Sequence, residues 1–504
     1  MLDDQSEYLL FKEKTSVLNI ADSVYTVWVI VNNLHFQHPI PKNIEMRKEF
    51  DENADIVLRR IWGVNEWELE FLLTEVIKNG LQNHFTQCTE RSIIYTLRDI
   101  SCMGELVNTI RNFDDSLSKK IKEDSERILK QIFRVFHRQF HWQDGSIANQ
   151  MYRYYKIYSH SKLDELIKSK TSLSIFEIIQ IGFAFISSFI KTHVLQLPVK
   201  FNIQAFTDEQ SNKFVDTFAI NYEDLKRKLL EVDGFDDNMF YKYNPLYENP
   251  IFLLNGNLYC PFIPLFISQI TKGIYYQIYK ENDFGDAFGR SFQAFVGLII
   301  EKVIDKKFKL IPEEKYKVGK NPKDSIDWIL EDSNSYLFIE CKAKRLQLLA
   351  QSELWNDIKL NEEIEKMSDF IVQSYKTITD FENGLYTHIT YSIEKKPFLL
   401  ILTLEEWLIN FHHHYYSLIK PLVIEKLKAQ SINEKIIDEI PYFITSCPKF
   451  ERDIQLLNHL GIKDYFTKLK ANTIIDDSDN FMYRELYIDD FDKEIVQVML
   501  SPTT

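Results

Sequence analysis

The stretch SIDWILEDSNSYLFIECKAKR, residues 325–345, decides how the rest of the chain is read. Two short apolar runs, 325–330 and 336–341, flank Asp332, Ser333 and Asn334, whose short polar side chains favour turns. The pattern predicts two strands joined as a hairpin. Side chains alternate across a strand, so Glu340 and Lys342 fall on one face and Cys341 on the other. A turn at 332–334 brings Asp327, at the head of the first strand, beside that same face. Paired carboxylates supply hard oxygen donors for a divalent cation, and a neighbouring ammonium orients water or relieves charge on a phosphate. Glu and Lys also alternate on exposed edge strands merely to discourage aggregation. Here Ile326, Trp328, Leu330, Tyr336 and Phe338 make both strands too apolar for a solvated edge. Cys341 and Trp328, pointing away from the acids, are expected in the core. Asp324 falls ahead of the strand and is the weaker candidate for the first acid.

Working outward, residues 287–304 read as a helix, 308–318 as a strand with a bend, and 362–381 as a second helix. Residues 397–404, PFLLILTL, have the continuous apolar run of a strand buried on both faces. The order is α-β-β-β-α-β, which calls for a mixed sheet with helices packed on it. Upstream, Asn255-Gly256 between two apolar runs signals a type I′ hairpin, and a helix over 264–279 should follow. The cluster of Asp, Asn, Gly and Pro at 231–250 is the expected boundary. Before it the chain reads as helical, for example at 67–77, 125–140 and 174–189, with a strand at 28–38. Downstream, 405–428 reads as a helix holding Phe411, His412, His413 and His414; adjacent histidines on a helix point about 100° apart and form no common ligand face. The rest is helical with short extended pieces and an acidic patch over 476–492. The expected fold is therefore mixed α+β. A mostly helical region at 1–240 captures substrate, regulates or assembles; 241–430 holds the α-β-β-β-α-β core with its preceding hairpin and helix; 431–504 is a mainly helical C-terminal extension.

At 504 residues the chain exceeds what one hydrophobic core supports, and its 45% hydrophobic fraction supplies core material throughout. The first residues lack the basic and apolar regions of a signal peptide, and the apolar stretch 175–190 is interrupted by Glu177 and Gln180, so no membrane association is expected. Five scattered cysteines without a CxxC pair suggest neither a disulfide scaffold nor a structural zinc, which fits a cytoplasmic protein. The net charge of −14 argues against a surface that attracts nucleic acid everywhere, yet residues 301–345 hold eleven Lys or Arg against nine Asp or Glu. A confined phosphate-binding cleft within an acidic chain would have this balance, as would a solvated face.

Residues 325–345 resemble the core of the PD-(D/E)XK, restriction-endonuclease-like nucleases, in which an acid on the second core strand precedes a turn and a (D/E)-X-K triplet on the third. Asp327 matches the first acid, Glu340 the second, Cys341 the variable residue and Lys342 the lysine. In the first helix, Gly289-Arg290-Ser291-Phe292-Gln293 resembles the family's glycine followed by Phe-Glu, with Gln293 where a glutamate often stands. Gln373, in FIVQSYK, matches a glutamine of the helix after the lysine. The resemblance spans about residues 285–404, a quarter of the chain.

It implies an endonuclease that hydrolyses DNA phosphodiester bonds with Mg²⁺, or Mn²⁺ as substitute. Asp327 and Glu340 would be the metal ligands, Lys342 and Gln293 would complete the catalytic set, and Lys323, Lys344, Arg345 and Gln373 would contact nucleic acid. Family members joined to a large unfamiliar domain are frequently bacterial restriction or antiphage-defence nucleases, with repair and recombination nucleases as the nearest alternative. RNA stays open beside DNA, as does a second copy of the chain or a regulatory protein as partner. Gln293 is a poorer metal ligand than glutamate. That substitution and the acidic chain favour a different class, a catalytically weakened nuclease-like module for DNA binding or protein assembly.

Overall fold

The computed structural model describes residues 4–41, 63–82, 95–119, 138, 146–201, 203–236, 239–343, 357–406, 414–471 and 473–501. The expected helix at 125–140, apart from Arg138, and His412 and His413 lie outside these residues. The chain is a mixed α/β protein. Its first half is helical: Asp4–Ser16, Ile20–Phe36, Glu66–Asn79, Ile100–Lys119, Ile147–Tyr158, Ser161–Thr171, Ile175–Phe189, Asp208–Phe218 and Tyr222–Glu231. The helix Ile20–Phe36 corrects the strand expected at 28–38. Val24, Val27, Trp28, Val29, Ile30 and Val31 are all buried. A helix enclosed on nearly every side loses its polar face, and with it the periodicity that distinguishes it from a strand. Its start is fixed by Asn19, whose side chain accepts the Asp22 N–H at 3.0 Å. The helix Ile175–Phe189 begins with a capping box between Ser174 and Glu177. Among the described residues no single helix is long and apolar enough to cross a membrane; one pair, Ser161–Thr171 with Ile175–Phe189, passes by length and composition together but is bent by 61°.

The segment 231–250, the expected boundary, is tied to the N-terminal helices. Asp233 accepts hydrogen bonds from Lys12 and Lys78, each at 2.6 Å, and from the Tyr8 hydroxyl at 3.2 Å. Asn244 donates to Glu70 at 2.6 Å and Thr74 at 2.9 Å, while Phe240 and Leu246 are buried. Polar turn residues marked a loop correctly, but the apolar residues among them anchor it to the helices. The sheet that follows also crosses position 240. β1 (Val194–Gln196) pairs antiparallel with β4 (Asn257–Tyr259), and β2 (Ile220–Asn221) pairs parallel with β3 (Phe252–Leu254). β3 and β4 form the hairpin, with Asn255 at φ 51° and Gly256 at φ 76°, the left-handed pair that a type I′ turn requires. The helix expected over 264–279 is broken into Ile263–Ile270 and Ile274–Ile278.

The second half is organised by a five-stranded sheet in the order β11-β10-β9-β8-β5. β5 is Lys309–Pro312, β8 Trp328–Glu331, β9 Ser335–Lys342, β10 Lys396–Thr403 and β11 Tyr442–Ser446. β5, β8 and β9 are antiparallel neighbours, whereas β9, β10 and β11 run parallel. The predicted bend in the first strand is a break: the chain leaves β5, forms a separate two-stranded ribbon from β6 (Lys315–Val318) and β7 (Asn321–Asp324), and returns as β8. β11 lies in residues 431–504, so that stretch supplies an edge of the sheet as well as helices.

Period-two alternation divides the sheet between two hydrophobic clusters. Leu337 and Ile339 of β9, with Phe398, Leu400 and Leu402 of β10, belong to the larger cluster that includes the helices Phe284–Val303 and Cys447–Leu460. Tyr336 and Phe338, with Leu399 and Ile401, face the other cluster, covered by Asp357–Glu382 and His414–Ala429. The larger cluster runs on into the N-terminal helices. There Tyr158 stacks on Phe288, and Ser291 donates to the Ile157 carbonyl at 2.5 Å. Arg153 makes a two-pronged pair with Glu451, both contacts at 2.7 Å, with the side chains only 3% and 5% exposed.

The helix Phe284–Val303 seats on β8 through Gly297. A Cβ at that position would lie 2.4 Å from Trp328 Cζ2. Gly297→Ala should therefore push the helix from β8 and cost about 1–3 kcal/mol, the usual scale of overpacking. Thermal unfolding followed by tryptophan fluorescence should show a lowered midpoint; an unchanged midpoint would show that the contact yields freely.

Candidate carboxylate site

The hairpin of β8 and β9 sets the candidate site. Asp332 holds the three-residue loop by accepting the Asn334 N–H at 2.8 Å, and the strands pair with Trp328 opposite Ile339. Asp327 stands one residue before β8, and the same register continued places it opposite Glu340. It closes the ladder with its side chain: Asp327 Oδ2 accepts the Cys341 N–H at 2.6 Å. Glu340 and Lys342 share the face of Tyr336 and Phe338, but at the strand's end, where packing opens. Lys342 Nζ donates to Glu340 Oε1 at 2.6 Å and lies 4.8 Å from the centre of the Phe370 ring. The structure thus brings Asp327, Glu340 and Lys342 to one end of one hairpin. Cys341 turns to the larger cluster, and Trp328 packs there as well.

The electrostatics of the pair follow from burial. The Glu340 side chain is 13% exposed and Lys342 19%. Desolvation is the largest influence on Asp327, and the charge of Glu340 adds to it; the Cys341 N–H and Lys342 act in the opposite direction. The carboxyl is pushed up to about 8. Glu340 is also raised, again first by desolvation, with Lys342 opposing and Glu313 adding. One ammonium faces two desolvated acids, so the cluster carries an unbalanced negative charge when both acids ionise.

Gln293 lies on the helix Phe284–Val303 beside this hairpin. Its backbone carbonyl accepts Trp328 Nε1–H at 2.9 Å, and its side-chain amide donates to Glu313 Oε2 at 3.0 Å. The amide is thus engaged by Glu313. Gln293, expected in the catalytic set, thus meets Glu313, a residue the sequence pattern did not single out and whose charge reaches both acids. The available signal was an acidic pair, Glu313-Glu314, directly after a strand of the same sheet. Tyr386 was also missed: its hydroxyl accepts the Ile326 N–H at 3.2 Å and donates to the Thr377 carbonyl at 3.3 Å, fixing the chain just before Asp327.

The expected nucleic-acid contacts fare differently from one another. Gln373 is exposed on the helix Asp357–Glu382, one turn beyond Phe370. Lys323 is engaged elsewhere, donating to Asp380 Oδ2 at 2.8 Å. Asp324 sits exposed on β7, outside the main sheet. Lys344 and Arg345 lie outside the described residues. Among the described residues no group of three or more His, Cys, Asp or Glu is arranged to hold a metal ion. Comparison with known proteins finds no matching family model, no matching curated protein and no matching solved structure.

A carboxyl raised on folding keeps a proton that the unfolded chain releases near its ordinary value of about 3.9. Stability contributed by this site is accordingly lost as pH rises from about 4 toward 8, by linkage. Asp327→Asn keeps an acceptor for the Cys341 N–H and removes the charge. Its melting temperature should exceed that of the wild type by several degrees at pH 8, with the gap narrowing at pH 5. A gap no larger at pH 8 than at pH 5 would contradict the burial of this charge.

Proposed function

We propose that the chain is a metal-dependent endonuclease of the PD-(D/E)XK kind that hydrolyses DNA phosphodiester bonds, in defence against foreign DNA. The observation that supports it is the meeting of Asp327, Glu340 and Lys342 at the end of a buried hairpin, with the Lys342 ammonium 2.6 Å from Glu340. The order of elements around them, a helix, β5, β8, β9, a helix and β10, agrees with that reading. The defence role rests on the family resemblance alone.

The donor set suits a hard divalent cation. Two carboxylates, desolvated and short of positive charge, are stabilised by a cation more than by one shared ammonium. Asp327 and Glu340 would hold Mg²⁺ or Mn²⁺. Such an ion supplies charge relief at the scissile phosphate and a more acidic water. Lys342, with one hydrogen on Glu340 and its ammonium over Phe370, has further hydrogens for a phosphate oxygen. The Cys341 N–H fixes one oxygen of Asp327, which limits the rotation of that carboxylate. Gln293 acts at one remove, by holding Glu313.

A second reading is favoured by one observation: an amide, Gln293, occupies the position where the family often has a glutamate. It is a nuclease-like module that binds DNA or assembles with protein without cutting. The two separate on purified protein incubated with Mg²⁺ or Mn²⁺ and single-stranded, duplex or branched DNA, with RNA in parallel. The nuclease should cleave DNA only with metal, and Glu340→Ala and Lys342→Ala should each lower the rate on the order of 10²–10³-fold while melting remains cooperative. Undiminished cleavage by Glu340→Ala would remove this site from the reaction, and absence of cleavage by folded wild type with either metal would leave the binding module.

A further inference from the structure

The ribbon of β6 and β7 is an insertion between two strands of the main sheet, and its ends are site residues or their neighbours. It leaves Glu313 and Glu314 and returns through Ser325 to Asp327. Its base is closed by Ser325 N–H to the Glu314 carbonyl and Glu314 N–H to Ser325 Oγ, both at 2.9 Å. The ribbon therefore stands at the margin of the carboxylate site by chain connectivity.

Its two faces differ in chemistry. In the antiparallel register Tyr316 lies opposite Lys323, and Lys315 and Lys317 lie opposite Asp324 and Pro322. Tyr316 is buried and packs against Tyr386 with ring centres 4.7 Å apart and planes tilted by 43°; its hydroxyl and Lys323 Nζ both donate to Asp380 Oδ2, at 2.7 and 2.8 Å. One face is thus anchored to the helix Asp357–Glu382. Lys315 and Lys317 occupy the other, and Lys320 stands in the turn beside Gly319, whose φ of 64° permits the tight reversal. All three lysines are exposed and make no ion pair among the described residues. Two residues apart on a strand, Lys315 and Lys317 project roughly 6.7 Å from one another on one side.

We propose that the β6–β7 ribbon is a DNA backbone clamp, in which Lys315, Lys317 and Lys320 bind successive phosphates and hold the duplex against the carboxylate site. The choice of polyanion rests on the nuclease reading. The placement rests on the ribbon itself: three unpaired cations on a support fixed by Tyr316 and Lys323, in a chain whose net charge is −14. In such a chain unpaired basic side chains gathered beside an acidic site offset the general repulsion of phosphate only where it is approached. The positive excess of residues 301–345 is resolved here. Lys323, one of the nucleic-acid contacts expected from the sequence, is the ribbon's anchor, and its neighbours are the free cations.

The test is binding without cleavage. Full-length protein carrying Glu340→Ala is titrated with a fluorescent DNA duplex in EDTA across a range of salt concentrations. Length-matched duplex RNA and heparin serve as competing occupants. Replacing Lys315, Lys317 and Lys320 together by alanine should weaken DNA binding about tenfold or more near 0.1 M salt. It should also lower the magnitude of the slope of log K against log salt by about 2.7, three phosphate contacts at 0.9 each. The triple arginine variant should retain wild-type affinity and slope, and a control triple, Lys213→Ala, Lys226→Ala and Lys463→Ala, should leave the slope unchanged. A slope change below about one for the ribbon triple, an equal change for the control, or a loss confined to RNA or heparin overturns the proposal. Because no metal is present, a failure of the nuclease reading appears separately, as absence of cleavage by wild type whose ribbon still binds DNA.

Discussion

Eight consecutive residues of β9 pair in parallel with β10, from Ser335 with Lys396 to Lys342 with Thr403, and most of the sheet's behaviour follows from that pairing. Parallel neighbours require a long crossover, supplied here by residues that include the helix Asp357–Glu382, and they require cover on both faces. The strand is accordingly apolar at both parities from Tyr336 to Ile339. Glu340, Cys341 and Lys342 mark the place where β9 runs past its cover, and this lets a strand deep in the core deliver charged groups on a rigid mount. The antiparallel partner β8 is short, and Asp327 takes over from it as a hydrogen-bond acceptor for the Cys341 N–H. A carboxylate at the end of the ladder is therefore part of the strand's own termination.

The same geometry creates the electrostatic tension of the site. Acids at the edge of a two-faced core lose hydration before they gain partners, and the hairpin sets them against one another. Lys342 relieves Glu340 directly but Asp327 only at a distance. Glu313 adds a third negative group, steadied by Gln293. A cluster so poised favours protons or cations, and this links its low charge tolerance to the proposed metal chemistry.

Much of the second half was legible because its signals are local. The turn residues 332–334, the short apolar run of 336–341 and the apolar run of 397–404 each act over a few positions, and strand parity alone separated Glu340 and Lys342 from Cys341. Asn255-Gly256 was legible for the same reason. What escaped depends on contacts distant in sequence. Nothing near Gln293 announces Glu313, twenty residues on, and nothing near Lys323 announces Asp380. The strand expected at 28–38 failed because complete burial erases amphipathic rhythm. At 231–250 composition recorded the loop's polar residues but not the partners of Asp233 and Asn244 on the N-terminal helices. β11, at the far edge of the sheet, lies in a stretch expected to be mainly helical.

The Arg153–Glu451 pair sets a limit on how this chain can be divided. Its two charges lie out of water, one on a helix of the N-terminal region and the other on a helix beneath the sheet. Taking away either partner strands a bare charge in the interior, a far larger penalty than the pair's own net contribution. The next residue on the first helix, Tyr154, donates to Glu405 at 2.9 Å, immediately beyond β10. The first half of the protein is in this respect the missing wall of the second. A fragment cut to the borders of the sheet would present an orphaned carboxylate where a helix had been, so inheritance of the sheet by another protein as a portable cassette would require that helix to travel with it.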